Sequence, residues 1–202
     1  MDLGEKQCRN PLCSRADRYF QWNFSIAMRS GALKRAINAY KYEGASGWAL
    51  IFGRILVGFL DRRTTSFESF DLIVASPTFV GEGSRNFDHT RRVLEKAAAE
   101  APPGKSWPFD LATPPAIIKT GPTEPLTGKT YQQRRDIAEG PFRDALLVPD
   151  PGRTRGLTIL VYDDVFTDGR TLDEVARSLR LQGGAQAVCG VTLCRQPWRG
   201  RA

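Results

Sequence analysis

The sequence predicts an α/β fold with a central, mostly parallel sheet flanked by helices. Three observations carry that expectation. Residues 157–162, a helical stretch near 171–181 and residues 187–193 follow one another as strand, helix and strand, and such a crossover joins parallel neighbours. Residues 71–76 form a second short apolar strand, ended by Pro77. Residues 32–42 and 48–60 place their apolar side chains at helical spacing, which suits helices packed on a sheet.

The elements can be justified in order. Phe20, Trp22, Phe24 and Ile26 alternate with polar or small residues, so 20–28 reads as a half-buried strand. Leu33, Ala36, Ile37 and Tyr40 share one helical face, and Gly44 offers a stop. Trp48, Ile51, Phe52, Ile55, Leu56 and Phe59 make a broad apolar face. Gly53, Arg54 and Gly58 interrupt that run, which makes it a core helix and not a membrane span. After strand 71–76 comes a loop, 78–84, then a helix over 87–99. Residues 100–115 are rich in proline and read as an exposed excursion. Short strands are expected at 116–119 and 145–148, with a Gly/Pro-containing loop and a polar helix (130–139) between them. Gly183 and Gly184 close the helix that precedes the last strand. The N-terminal segment and the excursion over 100–129 are expected to form a small hood or lid.

Bulk properties narrow the function classes. A chain of 202 residues suffices for one domain of ordinary size. The formal charge of +7 favours acidic partners, either nucleic acid or a phosphorylated small molecule, and fits a merely basic surface equally well. Basic residues are scattered in pairs such as Arg62–Arg63 and Arg134–Arg135, with no run that marks a nucleic-acid tail. No apolar stretch could span a bilayer, and no apolar signal region follows Met1, so a cytoplasmic location is the expectation. Cys189 and Cys194 fall on one strand and read as buried free thiols. Cys8 and Cys13 supply only two ligands, too few for a tetrahedral zinc site.

The chemistry lies in residues 159–171. Four apolar residues lead to Asp163 and Asp164, followed by Val165, Phe166, Thr167, Asp168, Gly169, Arg170 and Thr171. In open parallel sheets, ligands bind at the carboxyl ends of strands. Two carboxylates there could accept hydrogen bonds from ribose hydroxyls. The loop behind them presents hydroxyls, backbone N–H groups and the positive end of a helix, which suits a phosphate. Each piece alone also fits an ordinary helix cap or turn. Two adjacent acids after a buried strand are harder to explain that way, because paired charges cost energy unless something uses them.

The thirteen residues 159–171 resemble the phosphoribosyl pyrophosphate signature of type I phosphoribosyltransferases. The resemblance implies that fold, with Asp163 and Asp164 on the ribose 2′- and 3′-hydroxyls, together with a magnesium ion. It also implies that residues 165–171 cradle the 5′-phosphate. One residue departs from the pattern: Asp168 stands where the family usually has Thr. Its carboxylate would face a phosphate dianion unless it turns outward or pairs with a cation such as Arg170. Residues 31–44, 70–77, 84–87, 129–135 and 140–142 resemble the ComF-like branch of these proteins, which is linked to bacterial competence. That branch opens with a four-cysteine zinc module, so residues 1–30 are read as its remnant and 31–202 as the phosphoribosyltransferase domain.

On this reading Ser76, Pro77, Thr78 and Arg85 cover the pyrophosphate, with backbone N–H groups of 76–78 contributing. The sole histidine, His89, is placed on the surface. Arg134 and Arg135 either reach pyrophosphate from a mobile loop or lie on a solvated helical face, and the solvated face is the expectation. The expected activity is transfer of a phosphoribosyl group to a nitrogen acceptor, with a homodimer as the family-level assembly. The other reading is a non-catalytic, ligand-sensing or DNA-handling module that keeps the pocket.

Overall fold

The computed structural model describes residues 10, 12–82, 84–100, 106–126 and 128–196. In chain order these form β1 (Asn23–Met28), α1 (Gly31–Tyr42), α2 (Trp48–Asp61), α3 (Thr64–Phe67), β2 (Leu72–Ala75), α4 (His89–Glu100) and β3 (Ile118–Lys119). There follow α5 (Tyr131–Ile137), β4 (Leu146–Leu147), β5 (Thr158–Phe166), α6 (Arg170–Leu181) and β6 (Ala187–Arg195). The main sheet has the order β1-β6-β5-β2, and every pairing in it is parallel. Beyond β2, Ile73 pairs with the chain at Phe109, so the excursion starts as a further sheet edge.

Both faces of the sheet are covered, which is why the central strands read as unbroken apolar runs. Along β5 the side chains alternate: Leu160 and Tyr162 pack with α2 and α4, while Ile159 and Val161 pack with α6. The first layer is aromatic, with Tyr40, Phe52, Phe67 and Phe70 buried in it. The second holds Val175, Ala176 and Leu179 of α6. Cys189 and Cys194 are buried thiols without a disulfide. Cys8 lies outside the described residues.

Of the described N-terminal residues, Arg29 lines the cleft at Asp163 and Asp164, and Asn10 donates to the Asp168 carbonyl at 3.0 Å, while those around Leu12 and Phe20 pack into the core. Leu12 and Phe20 are buried with Phe166 and Leu172, and the Tyr19 N–H donates to Asp173 at 2.7 Å. Apolar residues at 12 and 20 gain more by joining that layer than by standing in solvent. β1 completes the sheet edge against β6.

The excursion is pinned by a buried carboxylate. Asp110 accepts from the Ala116 N–H at 2.6 Å and from Arg153 at 2.6 Å. Charge-assisted bonds of this kind are strong. They hold the stretch that leads into β3, which pairs antiparallel with β4 as a separate small sheet. The polar helix expected at 130–139 is α-helical only to Ile137. It passes into a wider turn over Ala138–Phe142, where Gly140 is non-helical and Pro141 cannot donate.

Two glycines of α2 separate packing from propensity. A Cβ on Gly53 would lie 2.8 Å from the Ala97 backbone nitrogen of α4, whereas one on Gly58 would meet nothing nearer than an Arg62 side-chain atom at 3.9 Å. Gly58→Ala should therefore stabilise by up to about 1 kcal/mol through helix propensity. Gly53→Ala should destabilise by about 1–3 kcal/mol, because α2 and α4 must part. Urea unfolding midpoints of the two variants should move in opposite directions.

Candidate active site

The acidic pair sits differently from the expectation. β5 does not end at Tyr162 but stays paired with β6 through Asp163↔Thr192 and Val165↔Cys194 to Phe166↔Arg195. On the other side β2 stops at Ala75, opposite Tyr162. Asp163 and Asp164 thus lie inside β5, just where it loses one neighbour. Strand alternation sends them to opposite faces. Asp164 is 4% exposed and Asp163 is half-buried.

A cleft of about 470 Å³ opens at this point, within the usual size of small-ligand sites. Five cations line it: Arg29, Lys41, Arg85, Lys119 and Arg134. They face three carboxylates, Glu124, Asp163 and Asp164. Of the residues expected at the site, Ser76, Pro77, Thr78, Arg85, Asp163, Asp164, Val165, Thr167 and Thr171 line the cleft. Phe166, Asp168, Gly169 and Arg170 do not. They are buried behind it.

Asp164 is the hub. Its Oδ2 lies 2.6 Å from Lys41 Nζ and 3.3 Å from His89 Nε2. His89 is therefore no surface residue; it is 5% exposed. Its Nδ1 is 2.9 Å from Arg85 Nη1 and 3.2 Å from Thr78 Oγ1. A guanidinium can only donate, so Nδ1 accepts and the ring proton sits on Nε2, facing Asp164. Burial pushes the imidazole pKa down, against the pull of Asp164. For Asp164, burial acts to raise the pKa, but Lys41 and His89 outweigh it and hold the carboxyl well below the usual range. Asp163 goes the other way. Burial and the Asp164 charge push it up to about 7, against Lys41 and Arg85.

The loop after β5 is a backbone cradle. Gly169 has φ +87°, and a Cβ there would lie 2.8 Å from the Phe166 ring, so only glycine fits. Among the described residues, the N–H groups of Thr167, Asp168 and Gly169 donate to no protein acceptor. Asp168 turns away from them. Its Oδ1 accepts from the Arg170 N–H at 3.3 Å, and its Oδ2 lies 3.7 Å from Arg134 Nη1. The side chain of Arg170 is not its partner: it reaches Glu139 at 3.0 Å and stacks over Tyr131. Arg134 is correspondingly a cleft residue and not part of a solvated face.

On the β2 side, the backbone contributes less than expected. The Ser76 N–H is taken by the Tyr162 carbonyl at 2.8 Å, and Pro77 has none to give. Cations fill the role instead. Arg85 and Lys119 have no carboxylate within ion-pair distance among the described residues. Lys119, half-buried with its Nζ 2.6 Å from Thr123 Oγ1, has its pKa lowered by burial and by Arg85. Two adjacent cations without acids make a site for an anion.

The chain is similar to an orotate phosphoribosyltransferase of Xylella fastidiosa, with 30% identity over 145 residues. The match covers 68% of this chain and 66% of that protein's length, just under two thirds. The central parallel sheet flanked by helices is consistent with the fold of a type I phosphoribosyltransferase. The similarity supports a place in that family, and no family model matches the chain. In this α/β fold the acidic pair of β5, Thr167 and Thr171 of the following loop and the loop after β2 face one cleft.

Proteins of the type that this chain resembles use magnesium, and the donors here suit it only in part. Among the described residues, no group of three or more His, Cys, Asp or Glu could cage an ion. Asp163 still fits magnesium, which binds through one or two carboxylates plus ligand phosphates and waters. One oxygen of Asp163 accepts from the Asp164 N–H at 2.9 Å, and the other takes no hydrogen bond among the described residues. Among the described residues, no helix is long and apolar enough to cross a membrane.

Sequence reasoning gave no role to Arg29, Lys41 or Lys119 and misplaced His89. One signal for His89 was present: it falls with Thr90, Val93, Leu94 and Ala97 on the buried face of α4.

The raised Asp163 has a stability signature. Its proton is retained in the folded chain up to about pH 7 and lost from the unfolded chain near about pH 4. Between those values the native state binds more protons, so stability falls as pH rises. Asp163→Asn removes this penalty and should raise Tm at pH 8 by at least about 2 °C. Thermal scans should show the difference shrinking toward pH 5.

Proposed function

We propose that the chain binds phosphoribosyl pyrophosphate with magnesium and transfers its phosphoribosyl group to a nitrogen acceptor. The observation that carries this reading is the pairing of opposite demands in one cleft: a carboxylate open to hydroxyls or a cation, beside cations with no acid partner and N–H groups with no acceptor among the described residues. The ribose hydroxyls would meet Asp163, and the monophosphate the cradle of 167–171. The pyrophosphate would meet Arg85, Lys119, Ser76 and Thr78. Similarity to a protein named orotate phosphoribosyltransferase adds support and makes orotate the first acceptor to test.

In the reaction, the C1′–O bond to pyrophosphate breaks, and the leaving group keeps the electron pair. The acceptor nitrogen forms the new C1′–N bond and gives its proton to solvent or to the leaving phosphate. Arg85 and Lys119 stabilise the charge that builds on the departing oxygens, a contribution made before reaction by placing the donors. Bound magnesium would supply further charge neutralisation on the pyrophosphate. Asp163 and the cradle fix the ribose so that the attack is in line. His89 does not act as base in the empty cleft, because both of its nitrogens are engaged.

A ComF-like role, in which the same pocket senses a ligand without turnover, is the second reading. The engagement of Asp164 by Lys41 and His89 favours it, since that carboxylate is already neutralised.

Calorimetric titration of phosphoribosyl pyrophosphate with magnesium tests both readings. Wild type should bind, and Asp163→Asn should lose at least about tenfold in affinity, as expected for a charge-assisted bond. Affinity of the wild type should rise between pH 6 and 8 as Asp163 gives up its proton, and this component should vanish in Asp163→Asn. Absence of binding by folded wild type would refute both readings. Binding without release of pyrophosphate across an acceptor panel that includes orotate would select the sensor.

A further inference from the structure

Asp168 departs from the residue type of the signature, and the structure surrounds it with unusual company. It is 4% exposed, yet it belongs to a loop whose Thr167 and Thr171 line the cleft. A buried carboxylate beside a phosphate would weaken binding by repulsion if it stood alone. It does not. Its Oδ1 caps the first N–H of α6, and its Oδ2 faces Arg134 of α5 at 3.7 Å. Arg134 Nε donates to the Lys129 carbonyl at 3.2 Å, which fixes the guanidinium from behind.

The rest of α5 is built to keep Arg134 there. Thr130 and Gln133 form a reciprocal cap that sets where the helix begins. A second bridge runs the opposite way, from Arg170 of α6 to Glu139, and the Arg170 guanidinium lies 4.5 Å from the centre of the Tyr131 ring. The segment around α5 is thus clamped to the phosphate loop at three points: Tyr131, Arg134 and Glu139. Arg134, Thr167 and Thr171 line the same cleft.

We infer that Arg134 is a ligand for the monophosphate end of the substrate, and that Asp168 is the positioning residue that holds it there. Asp168 sets the cation beside the cradle, and the cation offsets the carboxylate's own charge. The loop thereby gains a guanidinium where the signature type offers a hydroxyl. This rests on the proposed pocket, but only on its monophosphate half. It predicts preference for a phosphomonoester over the uncharged sugar that does not depend on the pyrophosphate side.

The experiment uses ribose 5-phosphate and inorganic pyrophosphate as separate probes, titrated into the full chain by calorimetry. Arg134→Gln should weaken ribose 5-phosphate about tenfold and leave pyrophosphate unchanged, with Arg134→Lys restoring part of the loss. Asp168→Asn, which keeps the size and the Oδ1 cap, should also weaken ribose 5-phosphate several-fold. The double variant should be no weaker than Arg134→Gln alone, because both act through one guanidinium. Thermal scans of each variant check folding, and a variant that unfolds is replaced by Arg134→Met or Asp168→Thr.

The opposite sign for Asp168 would overturn the inference. If the carboxylate merely repels phosphate, Asp168→Asn binds ribose 5-phosphate more tightly than wild type. Unchanged affinity in Arg134→Gln, or no binding of ribose 5-phosphate by wild type, overturns it as well. Failure of transfer activity with intact ribose 5-phosphate binding would count against the proposed reaction and leave this inference standing.

Discussion

The site depends on the burial of one negative charge. Asp164 lies in the interior, where an unpaired carboxylate would be prohibitively costly. Lys41 from α1 and His89 from α4 converge on it, so three separate elements are tied at a single oxygen. The tie extends outward. His89 Nδ1 accepts from Arg85, and the His89 carbonyl accepts from the Tyr40 hydroxyl at 2.7 Å. The geometry of the cleft on its β2 side follows from neutralising Asp164.

The same charge explains its neighbour. Two adjacent carboxylates in one cleft cannot both ionise freely, and the one with two cationic or hydrogen-bonding partners wins. Asp164 has them, so the proton falls to Asp163. The half-buried acid is then the one whose charge depends on what enters the cleft. A cation or a set of hydroxyls would favour its ionised form, which couples ligand binding to proton release.

Much of this was legible in the sequence, and the reasons differ by residue. The parallel sheet was readable because residues 159–162 of β5 and 188–191 of β6 are buried on both faces and carry no charged residue. The acidic pair and Gly169 were readable because few backbones need two acids and then a left-handed turn at that spacing. The full length of β5 was not readable: Asp163 to Phe166 alternate like any loop edge, and only the longer β6 holds them in the ladder. Lys41 and Lys119 were invisible as site residues, and Arg134 was ranked below a solvated face, because a lysine or arginine on a helix or loop usually points to water. Their place is fixed by partners far away in the chain, such as Asp164 and Asp168.

Asp168 shows how a local rule can fail for a reason found elsewhere. Judged within its loop, a carboxylate next to three N–H groups that have no acceptor among the described residues looks like a competitor for them. The fold limits that competition: one oxygen accepts from the first N–H of α6, and the other faces Arg134 across an ion-pair distance of 3.7 Å. The cradle stays open, and the net charge beside it is raised by a residue that lies 34 positions earlier in the chain. The loop and α5 therefore form one unit: exchanging Asp168 for the hydroxyl of the signature would remove a negative charge and also release the cation that it holds.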